Sequence, residues 1–435
     1  VKLDQLFSTL QREIPKTTAV AVIVLAAAAI GAIAWVQVRK QPVPSQENLQ
    51  AQWVVLADRV HELKAMGLHG EALRVANGSL KLAETTYGPS HPATAEALNE
   101  LAQLMVEFSQ FDNVDAMYRR ALSIQTRATG SETPEIAATT NNLAQSCARL
   151  GLFSKAEPLY KRALVIYEKS VGADDPATAR VVNNLACMED ARCNHAVAEP
   201  LHRRALEARE RNVGPAHLDT AESLGNLASN ARARGDLETA ERLHRRALAI
   251  REHVAGPSHP LTASSLAGLA ATLRDRGQFA LADPLATAAL AIRHKALGLR
   301  NLSTASALET LALIRADIGE LNTARRLLEQ AVDIRMKDPT VGHPRTAETL
   351  KHLAALAPPA DEAPDGIQDR KQNAARLLEK AVAIQSESLG PDHAETVDTL
   401  KNLLEAWKAA GNQEEAESVH RRLAERVDKS TAASR

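Results

Sequence analysis

Histidines at 91, 217, 259, 343 and 393 are the residues that most invite a chemical reading, because imidazoles in series are common metal ligands. Each fills the same slot of a repeating connector, so successive rings sit at least one structural unit apart, too far to share an ion at ordinary bond lengths. A turn or helix-capping role is the expectation, and no metal site is expected. Three cysteines, Cys147, Cys187 and Cys193, form no bridging framework. The first two read as small core residues on helices and the third as a replacement for a turn glycine. The chain holds no His-Glu-x-x-His, Gly-x-Ser-x-Gly, Gly-x-x-x-x-Gly-Lys or Cys-x-x-Cys. No catalytic constellation and no cofactor are therefore expected, and the chain reads as a non-enzyme.

Asparagine carries a different chemistry. Asn142, Asn184 and Asn226 each stand just before a repeated leucine, with Asn141 and Asn183 beside two of them and Asn402 further on. A carboxamide offers donor and acceptor together, so it pairs with main chain whatever the side-chain sequence. Gly268, Thr310 and His352 break the row. Two readings stand open: the amides line a groove for a bound peptide, or they only satisfy neighbouring helices.

The elements that position these residues follow from one period. Leu101, Leu143, Leu185, Leu227, Leu269, Leu311 and Leu353 are each 42 apart, and each is followed by alanine. Ala121, Ala163, Ala205, Ala247, Ala289 and Ala331 form a second ladder with the same step. A fixed period of this size means a solenoid, propeller or array. Each period holds two segments with apolar residues at helical spacing, so the unit is a helical hairpin. Alanine recurs because stacked hairpins need close backbone approach. The fold class expected is all-α, a solenoid of about nine stacked hairpins over 48–428.

Asn142-Leu143-Ala144, Gly151, the run from Ala156 to Leu164 and the Gly-Pro-x-His-Pro connector resemble tetratricopeptide repeats (TPR) of the 42-residue, kinesin-light-chain-like kind. The resemblance covers roughly residues 50 to 428. It implies a right-handed superhelix whose first helices line the concave surface, where asparagines at this position hold a bound peptide's backbone. It also implies protein or peptide partners, without saying which.

Lys and Arg number 52 against 53 Asp and Glu, a balance that gives no reason to expect nucleic acid or a small-molecule substrate. Basic pairs recur at Arg119-Arg120, Lys161-Arg162, Arg203-Arg204 and Arg245-Arg246, but Glu157, Glu199 and Glu241 lie within a turn of them, which points to a solvated convex face.

Residues 1–16 form an amphipathic segment. Within 17–40, the stretch Ala19 to Val36 carries no charge, which predicts one transmembrane helix. A removable signal peptide is the alternative, since Ala32-Ile33-Ala34 resembles a cleavage site, although the apolar run is longer than a usual signal core. The basic residues flanking the span favour repeats on the extracytoplasmic side, the periplasm in a bacterium. A proline-bearing linker covers 41–47, and Pro158, Pro200 and Pro284 are placed in the opening turn of second helices. The step from Leu353 to Leu403 is 50, so an insertion loop is expected near 357–370, and a polar tail at 429–435. The functional expectation is a membrane-anchored scaffold that binds partner proteins. A structural or assembly subunit of a membrane complex is the alternative, and a regulatory ligand-binding protein or enzyme the remote one.

Overall fold

The computed structural model describes residues 69–130, 132–356 and 364–433, with short helical pieces at 55–56, 59–60 and 62–63. It divides into two compact units, Val1–Thr86 and Tyr87–Arg435. Helix α1 (His69–Tyr87) belongs almost wholly to the first and buries Ala72, Ala76, Leu80 and Ala83 on one stripe. The second unit is a run of helical hairpins. In order they are α2 (Pro92–Glu107) with α3 (Val114–Thr129), α4 (Pro134–Arg149) with α5 (Phe153–Ser170), α6 (Pro176–Ala191) with α7 (His195–Val213), and α8 (Leu218–Ala233) with α9 (Leu237–Val254). There follow α10 (Pro260–Asp275) with α11 (Phe279–Leu297), α12 (Leu302–Asp317) with α13 (Leu321–Met336), α14 (Pro344–Ala355) with α15 (Pro364–Ser388), and α16 (Ala394–Ala409) with α17 (Gln413–Ala433). No strand occurs among the described residues.

Both ladders are the spine of the stack. Leu101, Leu143, Leu185, Leu227, Leu269, Leu311 and Leu353 are buried, and Ala121, Ala163, Ala205, Ala247, Ala289 and Ala331 have no accessible surface. At those alanines a larger side chain would have to displace a neighbouring helix, because the interior is already close-packed.

The connectors show why the histidines recur. His91, His217, His259, His343 and His393 are each the N-cap of the following helix, with Nδ1 accepting from the backbone amide two residues on at 3.1–3.3 Å. Asp175 and Asn301 perform the same task with a side-chain oxygen at 2.8 Å. The hydroxyls of Thr94, Thr178, Thr220, Thr262, Thr304 and Thr396 donate to the carbonyl of the connector glycine six residues earlier, at 2.7–2.9 Å. The connector is thus a closed Gly-to-Thr loop with a capping side chain in its middle, an imidazole in four of these six.

Several sequence expectations are corrected in detail. Pro158, Pro200 and Pro284 lie in the second turn of α5, α7 and α11, not the first. The helices continue because these prolines are exposed, as are Ser154, Ala196 and Ala280, whose carbonyls lose a donor and face water. Helix α15 already begins at Pro364, so part of the expected insertion is helical, and α17 runs on to Ala433 through most of the expected tail. The span expected over 19–36 lies outside the described residues. Among the described residues no helix is long and apolar enough to cross a membrane.

Candidate groove and its amide ladder

The asparagines form two columns on successive first helices. Asn142 donates to Asn99 at 3.2 Å, Asn184 to Asn141 at 3.1 Å and Asn226 to Asn183 at 3.0 Å. Each bond joins one hairpin to the one before it. Asn141 and Asn183 are buried at 2% exposure and act as inter-hairpin acceptors, whereas Asn142, Asn184 and Asn226 are half-buried. Each half-buried amide spends one N–H on its neighbour and keeps further capacity for main chain. Asn99 completes the ladder; it stands two residues before Leu101, as Asn141 and Asn183 stand before Leu143 and Leu185, so the same step of 42 marks it in the sequence. Asn402 does not belong to it: it is exposed on α16, beyond Gly268, Thr310 and His352.

The second unit curls until distant hairpins meet. A Cβ placed on Gly151 would stand 2.5 Å from the carbonyl oxygen of Gly342. Phe153 meets His343 edge to face with centroids 5.9 Å apart, and His393 Nε2 lies 3.0 Å from the Arg192 carbonyl oxygen. Phe153 and His343 border an open cavity of about 470 Å³, with Asn183, Asn184 and Asn226 on one wall and Ser306, Arg335 and Arg345 on the other. A second cavity of about 620 Å³ shares Cys187, Asn226, His343 and Arg345 with it.

Cys147 is buried as expected, but Cys187 is not a core residue: it lines this cavity and is exposed. Cys193 takes the glycine slot with φ of 61°, and all three cysteines are free. Nearby, Asp190 bridges His195 Nδ1 at 2.9 Å and His202 Nε2 at 2.8 Å, and accepts from Asn230 at 2.7 Å. Burial pushes the Asp190 carboxyl up, but hydrogen bonds from His202, His195 and Asn230 outweigh it and hold the pKa below the usual range. Among the described residues no group of three or more His, Cys, Asp or Glu side chains is arranged to hold a metal ion.

The amide ladder ends where larger groups intrude. Gly225 stands where the next acceptor would be and has no side chain to offer; a Cβ there would be in ordinary contact with the Arg251 guanidinium at 3.8 Å. Gly268 would be the next donor, and there the His244 ring lies directly against the helix backbone. His244 is buried with neither ring nitrogen bonded. Burial, then the nearby Arg232 and Arg251, lower its pKa from 6.5 to about 3. Between those values the unfolded chain binds a proton that the folded one does not, so stability falls as pH drops below 6.5. At about 1.4 kcal/mol per pH unit, this residue alone removes about 2 kcal/mol by pH 5. Urea unfolding of wild type and His244→Leu at pH 7.5 and pH 5 checks this. The variant should lose less stability over that interval, and equal losses would remove His244 from the account.

On the convex side the first member of each basic pair is neutralised within its own helix. Arg119 meets Asp115 at 2.6 Å, Lys161 meets Glu157 at 2.6 Å, Arg203 meets Glu199 at 2.8 Å and Arg245 meets Glu241 at 2.6 Å. Arg234 and Arg276 reach the same Glu199 and Glu241 from the next hairpin. The exposed pairs among these contribute little to stability or to a net field, whereas Glu241 is buried between Arg245 and Arg276.

The hairpin stack with a concave amide face defines an α-solenoid of the kind built for protein contact. The Tetratricopeptide repeat pattern matches residues 63–127, 135–211, 191–253, 219–295, 261–337 and 367–395, and the chain belongs to that family. It is 36% identical to human Nephrocystin-3 over 59 residues, which are 14% of this chain and 4% of that protein. A Podosopora anserina protein assigned as a kinesin light chain, with nearly identical TPR-like repeats, is 26% identical with a TM-score of 0.40, over 49% of this chain and 98% of that one. A Rap protein complexed with competence and sporulation factor superposes with a TM-score of 0.57 at 13% identity, over 88% of this chain and 99% of that one. At that identity the likeness to Rap is one of fold.

Proposed function

We propose that this protein is an interaction scaffold with no catalytic chemistry of its own, which holds an extended segment of a partner protein in its concave groove. The observation that carries this reading is the row of half-buried amides at Asn142, Asn184 and Asn226, the last two on the cavity wall. Carboxamides held by their neighbours present fixed acceptors and donors at regular intervals, which suits a peptide main chain running along the row. Membership of the repeat family supports a role in protein contact, and the Rap relative is itself a complex with a factor.

Asn142→Ala, Asn184→Ala and Asn226→Ala combined test it. Partners captured by the full chain should bind about 10- to 1,000-fold more weakly, since each lost hydrogen bond costs roughly 0.5–1.5 kcal/mol. Far-ultraviolet circular dichroism should report the fold intact. Unchanged capture of every partner would take the groove out of the account.

The uncharged run over 19–36 supports holding this scaffold at a membrane, with the repeats on the extracytoplasmic side. Resistance of the full chain to alkaline extraction, and protection of the repeats from external protease, check anchoring and side in turn. Release into the alkaline supernatant would sink the anchor and leave the groove reading untouched.

A further inference from the structure

A second 42-residue series runs along the ends of the second helices: Arg209, Arg251, Arg293 and Arg335. All four are buried. The outer two are neutralised. Arg209 reaches Glu222 at 3.2 Å and Ser223 at 3.0 Å, and Arg335 reaches Glu309 at 3.1 Å and Ser306 at 3.0 Å.

The inner two are not. Arg251 bonds only Ser265, at 2.8 Å, and Arg293 bonds the Ser303 carbonyl at 2.7 Å and the Ser264 hydroxyl at 3.1 Å. Among the described residues neither has a carboxylate within ion-pair distance. They are 7% and 8% exposed, and the Nε of each is buried without a hydrogen-bond partner. The period explains the difference. Glu222 stands 13 residues after Arg209, and the equivalent residues after Arg251 and Arg293 are Ser264 and Ser306. A guanidinium buried without its anion is costly, and an aliphatic residue would pack there instead. Burial holds the Arg251 pKa below its usual value, with Glu222 opposing it from beyond ion-pair distance, and brings that of Arg293 down to about 10, with Arg345 and Arg251 adding repulsion at Arg293.

The pair also sits beside the groove. Arg251 abuts Gly225, next to Asn226 on the cavity wall, and Arg293 holds Ser303, itself a wall residue. Arg345 projects from the opposite wall. We propose that Arg251 and Arg293 form an oxyanion site that takes acidic side chains of the extended partner segment, the carboxylates standing where Glu222 stands for Arg209. The site rests on the peptide-binding reading and adds to it the charge of the partner. A guanidinium binds a free phosphate by the same fork of donors, so the two sources need separating.

The test uses the full chain and three probes: a hexaglutamate peptide, inorganic phosphate, and sodium chloride at matched ionic strength, with binding followed by calorimetry. Hexaglutamate should bind wild type and lose about tenfold or more in affinity to Arg251→Gln/Arg293→Gln. Ser264→Glu, which restores the missing carboxylate, should abolish that binding while raising the melting temperature, an outcome misfolding cannot mimic. Phosphate binding as tight as hexaglutamate, lost in the same variants, would overturn a peptide carboxylate as the occupant. No hexaglutamate binding, or binding equal in all variants, would overturn the site. The Asn142→Ala/Asn184→Ala/Asn226→Ala protein separates the two readings. If it still binds hexaglutamate as wild type does, while the arginine variants do not, the anion site stands and the amide groove falls.

Discussion

Gly268→Asn, the substitution that would complete the asparagine row, should destabilise the protein by about 3 kcal/mol or more. In an ordinary helix interior, replacing glycine relieves a penalty of up to about 1 kcal/mol, so the expected sign is reversed here. The cause is the His244 ring. A Cβ on Gly268 would stand 2.8 Å from Nδ1, 2.9 Å from Nε2 and closer still to Cε1. The ring is buried and has no vacant volume to turn into without displacing neighbours. The added amide would gain nothing in return, because position 225 in the adjacent column is glycine and offers no side-chain acceptor. Thermal and urea unfolding of Gly268→Asn and His244→Ala/Gly268→Asn measure the effect. Removing the ring should recover most of the loss, and a double variant no more stable than the single one would refute the steric account.

Gly151→Ala should open the coil, whereas Gly235→Ala should only strain a turn. Both glycines adopt left-handed backbone, with φ of 78° and 84°. An L side chain there costs roughly 1–2 kcal/mol in either case. Beyond that, a Cβ on Gly235 meets nothing within 4 Å, while one on Gly151 runs into the Gly342 carbonyl at 2.5 Å and Ser388 at 3.2 Å. A backbone oxygen cannot step aside alone, so the segment carrying Gly342 and His343 must move. The Phe153–His343 and His393–Arg192 contacts belong to the same seam and should part with it. Small-angle scattering should show a larger maximum dimension for Gly151→Ala than for wild type, and none for Gly235→Ala. Widening should also speed reaction of Cys187 with a bulky maleimide in a Cys193→Gly background, because Cys187 lines the cavity between the two walls. Matching dimensions for the two variants would mean that the seam does not hold the coil.

The closure bears on how a partner meets the amides. Asn184 and Asn226 look across the cavity at the segment carrying Arg345. A guest reaching them therefore touches two walls contributed by hairpins far apart in sequence. Affinity for the groove and the openness of the coil are then linked, since any segment too wide for the cavity must first separate the walls.

Everything governed by one period could be read from the chain itself: the hairpins, the buried leucine and alanine ladders, the capping histidines and the neutralised convex pairs. Such features depend on residues within a few turns, or one unit away, and a fixed step of 42 repeats their surroundings. The arginine series obeyed that step too, and the same subtraction applied to charged residues would have revealed it. What subtraction does not reveal is which arginines lack a partner, because Arg335 is neutralised by Glu309 on the first helix of its own hairpin instead of the residue its register predicts. The asparagines were likewise visible as a row, but their division into buried acceptors and half-exposed donors depends on how adjacent helices are offset. The seam was beyond reach altogether. It joins residues about 200 positions apart, and arises from small rotations accumulated over several hairpins, so no single unit encodes it and only the assembled coil decides where its turns meet.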